Sequence, residues 1–233
     1  MAIFHSFRNL TKFERILWLA SITVITLSFL LSGDFQALTL IASLIGVTAL
    51  IFVAKGDVLG QILTVVFSIV YAVISWELRY YGEMITYLGM TMPMAMLSVV
   101  SWLKNPFEEK KNEVKIAPLS RLRAVIMVLG AAVSTVGFYF ILKYFHNASL
   151  VISTISITTS FLASYLTFCR SAFYALAYAA NDVVLIILWV LAAAESLSYL
   201  PMVICFAMFF LNDLYGFYNW RKMYSRQQNR AAS

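Results

Sequence analysis

Apolar runs of about 20 residues, the length that crosses a bilayer core as a helix, follow one another along almost the whole chain. They lie at about 16–32, 36–54, 58–78, 84–103, 121–143, 149–168, 172–193 and 198–219, and they predict eight membrane-spanning helices. The alternating polarity of a membrane β-barrel is missing. Basic residues precede the first run, and Ser32-Gly33 ends it, as in a cleaved leader. The run is longer than the apolar part of a usual leader, so it is read as a helix.

Basic residues sit at the ends of these runs and support the same count. With the N-terminus inside, Arg8, Lys12, Arg15, Lys55, Lys104, Lys110, Lys111, Lys115, Arg121, Arg123, Arg170, Arg221, Lys222, Arg226 and Arg230 fall on inner segments. Only Arg79 and Lys143 fall outside. Positive charge concentrates on the cytoplasmic side, so eight spans with both termini cytoplasmic are expected.

The one long connection, "LKNPFEEKKNEVKIAPLSRLR", divides the chain. Residues 1–35 form the N-terminus and an extra first helix, and 36–103 a three-helix repeat. Residues 104–120 are a cytoplasmic loop, 121–145 a peripheral linking helix, 146–220 a second three-helix repeat, and 221–233 a basic tail. The fold class is all-α and polytopic, with two parallel repeats joined by one helix (3+1+3). "VSWLK" and "YNWRK" end the fourth and eighth spans, placing Trp102 and Trp220 alike; Lys55 and Arg170 end the first helix of each repeat. Interfacial anchoring would also explain Trp and basic residues at these ends. Transporters built from parallel repeats hold substrate near the midplane between them.

Composition narrows the function. The chain of 233 residues is 62% hydrophobic and 12% charged, with a mean hydropathy of +0.84. Its net charge of +6 is spread over helix ends, which suits anionic lipid and gives no nucleic-acid face. Two cysteines, Cys169 and Cys205, are too few for a disulfide framework or a zinc cluster. No P-loop or H-E-x-x-H is present, and no span contains a histidine, so neither an enzyme nor a cofactor or metal site is expected.

Polar residues inside the spans carry the candidate chemistry. On the third span Gln61, Thr64, Ser68, Tyr71 and Ser75 fall within about 80° of arc. The sixth span carries Ser153, Ser156, Ser160, Ser164 and Thr167, a stripe read as helix packing. Tyr174, Tyr178, Asn181, Asp182 and Trp189 share one face of the seventh, and the eighth adds Cys205, Met208, Phe209, Asn212, Gly216 and Asn219. Asn181-Asp182 stands near the bilayer centre, where an aspartate costs about 2.5 to 3.5 kcal/mol to insert, so a polar cavity is expected there. Asp213 reads as shallower, within reach of water or Arg221. Glu77, Arg79 and Glu83 border the outer end of the third span, where solvent explains them.

"VAKGDVLGQILTVVFSIVYAVISWELRYYGEM", "MPMAMLSVVSWLK", "YAANDVVLIILW" and "FFLNDLYGFYNWRK" resemble the PnuC family of bacterial vitamin transporters over roughly residues 36 to 222. The A-K-G, Y-G-E and N-x-x-Y-G-x-x-N-W pieces are the most telling. The resemblance implies facilitated uptake of nicotinamide riboside across the bacterial inner membrane, with trapping by a separate cytoplasmic kinase. Relatives carry thiamine, riboflavin or deoxyribonucleosides. It places Asn181 and Trp189 in the seventh-span motif, and Asn212, Tyr215 and Trp220 in the last. Ser68 stands where the family would have Asn, and Asp182 where an apolar residue is more usual. The expected substrate-binding set is Asn181, Asp182, Tyr178, Trp189, Asn212, Gln61, Ser68, Tyr71 and Tyr215. A homo-oligomer is compatible with the sequence, and a non-transporting receptor or assembly subunit is the alternative from another class.

Overall fold

The computed structural model describes residues 6–33, 35–77, 81–108, 110–147 and 149–231. Arg79 lies outside the described residues, as do the side chains of Glu83, Lys110 and Lys111. Among those residues, eight helices are long and apolar enough to cross a membrane. They are Lys12–Leu31, Ala37–Ala54, Val58–Glu77, Met84–Leu103, Arg121–Tyr144, Leu150–Phe168, Tyr174–Glu195 and Leu197–Arg230, called spans one to eight here. This is the helical polytopic fold the apolar runs predict.

Six of them close a ring. Span two packs on three, three on four, four on six, six on seven, seven on eight, and eight returns to two. Three therefore stands opposite seven. Span one rides outside the ring on two and eight, and span five on six and the start of four. The two outer helices thus hold equivalent positions. Span five buries only Ala131 and Leu142, and its mid-depth tie to the ring is the Thr135–Thr158 hydroxyl pair at 2.7 Å.

Local backbone geometry repeats in the same way. Among the described residues, the left-handed ones form two matching pairs, Gly33 (φ 76°) with His146 (φ 54°), and Gly56 (φ 68°) with Arg170 (φ 59°). Each pair ends equivalent helices. After Gly56, Asp57 Oδ1 accepts the Leu59 N–H; after Arg170, Ser171 Oγ accepts the Phe173 N–H. Arg170 therefore corresponds to Gly56, one residue on from the match with Lys55 that the sequence suggests. A glycine suits Gly56 because other residues rarely adopt a positive φ.

Span one is held by a polar seam. Glu14 closes a capping box with Thr11, takes the Lys55 ammonium at 2.9 Å and accepts the Tyr215 hydroxyl at 2.8 Å. Trp18 Nε1 donates to Thr48 Oγ1, and Ser21 Oγ accepts from Asn212 Nδ2. These residues share one helix face, which turns a mostly apolar helix in a defined direction.

Two segments depart from expectation. The helix of span eight begins at Leu200 and runs unbroken to Ala231, so residues 221–231 of the basic tail continue it as helix. The long connection carries an antiparallel hairpin of β1 (Pro106–Phe107) and β2 (Lys110–Val114). The two features explain each other. Gln227 donates to Glu113 Oε1 and the Val114 carbonyl and accepts from the Ile116 N–H, while Arg226 pairs with Glu113.

Candidate functional site

The ring encloses a cavity. Its wall takes residues from all six ring helices, with Leu142 and Asn147 added near the end opposite the hairpin. Spans three, four and eight supply an aromatic side. Phe67 lies 5.6 Å from Tyr71 and 5.9 Å from Tyr87, Tyr71 and Tyr87 are 4.3 Å apart, and Phe206 is 5.5 Å from Phe209. All five line the cavity.

A π-helical turn, Tyr87–Thr91, brings span four into this wall. Met92 donates to the Tyr87 carbonyl, five residues back, and Pro93 follows without an N–H to give. Such widened turns recur at functional sites. Here the turn sets Tyr87 and Thr91 on the cavity.

Spans six and seven supply the polar side. Asn181 Oδ1 receives hydroxyls from Ser156 at 3.2 Å, Thr159 at 2.7 Å and Ser160 at 3.0 Å. These donors orient the amide, with its oxygen toward span six and its NH2 left as a donor. The Ser164 and Tyr178 hydroxyls are 3.1 Å apart. Asp182, Asp213 and Gln61 also line the cavity, and each is buried from outer solvent. The Gln61 amide bonds to none of the described side chains, so both its donor and its acceptor are open to a ligand.

The expected set therefore separates. Gln61, Tyr71, Tyr178, Asn181, Asp182 and Trp189 meet on the cavity. Ser68 is fully buried off it and gives its hydroxyl to the Thr64 carbonyl. Asn212 and Tyr215 point to span one, bonded to Ser21 and Glu14. Residues three apart share a helix face while neighbours are turned by 100°, so Asn212 and Tyr215 go one way and Asp213 the other. The last-span motif is chiefly a packing device. Asn219 Nδ2 donates to the Ala54 carbonyl and Trp220 Nε1 to that of Val53, and a Cβ on Gly216 would stand 2.9 Å from the Tyr174 hydroxyl.

Two sequence readings are corrected. The hydroxyl stripe of span six is cavity wall through Ser153, Ser156, Ser160 and Ser164, because it also holds Asn181 in place. Asp213 does not reach water or Arg221. It is 3% exposed and its side chain meets that of Asp182. The signal was present as a second Asn-Asp pair, Asn212-Asp213, on the neighbouring helix.

Toward the hairpin the cavity is closed. Trp102, Tyr174, Trp220, Val114, Ile116 and Met223 form one buried cluster below it. Among the described residues, the lining contains no lysine, arginine or histidine.

Known proteins show the same architecture. A crystal structure of the vitamin B3 transporter PnuC superposes with a TM-score of 0.78, covering 94% of both chains at 23% identity. A nicotinamide riboside transporter PnuC of Neisseria mucosa is 23% identical over 228 residues, 96% of this chain and 86% of that protein. The protein of that name from Haemophilus influenzae is 23% identical over 212 residues, 91% of each. Residues 36–222 match the family described as nicotinamide mononucleotide transporter. That match takes in every helix of the ring, and the chain belongs to this family of membrane transporters.

Proposed function

We propose that this protein admits nicotinamide riboside by facilitated diffusion, and that phosphorylation by a separate cytoplasmic kinase traps it. The observation that carries the reading is the lining itself. Aromatic faces stand on one side and hydroxyls with an oriented amide on the other, and the described lining holds two carboxyls and no basic side chain. A pyridinium ring suits aromatic faces and carboxylates, and ribose hydroxyls suit Asn181, Gln61 and the serines. A mononucleotide fits poorly, because its phosphate would meet carboxyls and no cation among the described residues. The names of the two relatives agree with the nucleoside.

The distribution of basic residues supports a cytoplasmic hairpin and cytoplasmic termini in a bacterial inner membrane. The cavity then approaches the outer side, with the Trp102–Trp220 cluster as the inner closure. Thiamine is the second reading, favoured by the same pair of carboxyls because it too is a permanent cation.

Calorimetry on the purified protein tests the ligand. Nicotinamide riboside should bind more tightly than thiamine, riboflavin or thymidine, and nicotinamide mononucleotide should give no measurable heat. Tighter binding of the mononucleotide or of riboflavin would overturn the assignment.

A further inference from the structure

We infer that Asp182 and Asp213 act as one counter-charge, a carboxyl pair holding a single proton that selects ligands with one permanent positive charge. This rests on the cavity being the ligand site and goes beyond it by assigning Asp213 and by treating the two residues as a unit.

The two carboxyls come from adjacent helices, line the same cavity and are 4% and 3% exposed. Their side chains meet there, and two carboxyls that share one buried site cannot readily both ionise, so one proton between them is the favoured state. The other titratable groups near them are Tyr174 and Tyr178 on span seven, Tyr215 on span eight, which turns away to Glu14, and Cys205 on span eight. None of these is a cation, so among the described residues no group balances a second negative charge.

A second observation points to a ligand. Asp182 Oδ2 is buried and receives no hydrogen bond from a described donor. A buried carboxylate oxygen without a donor is costly, and a cation entering the cavity would relieve that cost. With one proton shared, the pair carries one negative charge, which a single positive charge neutralises. A neutral ligand leaves that charge unbalanced in apolar surroundings, and a phosphate adds to it.

The test compares ligands of one shape and two charges. Nicotinamide riboside is a cation, and its ring-reduced dihydro form is neutral. The wild-type protein should prefer the cation by about tenfold or more, the scale of one charge-assisted hydrogen bond. Asp182→Asn and Asp213→Asn should each keep a preference for the cation. In each, the new amide donates where the shared proton stood and the remaining carboxylate keeps the charge. The double variant should lose the preference, with the two affinities within about threefold.

Equal wild-type affinities would overturn the proposal, as would a single variant that abolishes the preference, since one carboxylate would then act alone. Thiamine and thymidine form a second cation–neutral pair. If thiamine is preferred over thymidine while nicotinamide riboside does not bind, the substrate assignment fails and the charge pair stands. If neither cation binds, the pair is not a counter-charge.

Discussion

Trp102 and Trp220 stand 5.5 Å apart, ring centre to ring centre, and each indole N–H bonds to the first helix of the opposite repeat. Trp102 Nε1 donates to the Thr167 carbonyl at the end of span six, and Trp220 Nε1 to the Val53 carbonyl at the end of span two. Both rings are buried. They are a reciprocal clasp between repeats, not anchors at the lipid interface.

Replacing either tryptophan with phenylalanine keeps an aromatic ring but removes the donor. A buried carbonyl left without its partner costs about 1 to 3 kcal/mol. Trp102→Phe and Trp220→Phe should therefore both lower the melting temperature of the purified protein by a similar amount. Lipid-facing anchors would leave it unchanged.

Asn181 should separate from Asn212 and Tyr215 when both stability and affinity are measured. Asn181→Leu removes the amide that three hydroxyls orient, and binding should weaken by about 1 to 3 kcal/mol, roughly 5- to 150-fold. Asn212→Ala and Tyr215→Phe cut the ties to Ser21 and Glu14, so they should lower the melting temperature and change affinity by no more than about twofold. A large loss of affinity in Tyr215→Phe without loss of stability would put that residue back in the site.

Much of the fold was legible because a membrane helix announces itself by length and polarity alone. Ring closure was not, since it depends on which helix faces meet, and a polar stripe marks a packing face and a cavity face alike. Depth was misjudged for Asp213 for a physical reason. Counting from a helix end near 219 puts it close to the interface, whereas the helix continues to Ala231 and its far end packs on the hairpin. The serine stripe of span six misled because hydroxyls at helical spacing serve packing and cavity equally well. Asn212 and Tyr215 entered the expected set through the family motif, whose polar groups turn out to bind helix to helix. The π turn at Tyr87–Thr91 left only Pro93 as its trace.

Orientation can be read with single cysteines, because Cys169 and Cys205 are buried. Lys104 and His146 are exposed at opposite ends of the molecule. In intact cells Lys104→Cys should be protected from a membrane-impermeant thiol reagent and His146→Cys should react. The reverse pattern would invert the molecule.

Transport itself tests the central claim most directly. Proteoliposomes containing the purified protein should fill with nicotinamide riboside until internal and external concentrations match, with no ATP and no ion gradient, and Asn181→Leu should slow that filling at least about fivefold. Uptake that occurs only under an imposed proton gradient, or entry at the same rate in empty liposomes, would contradict the account.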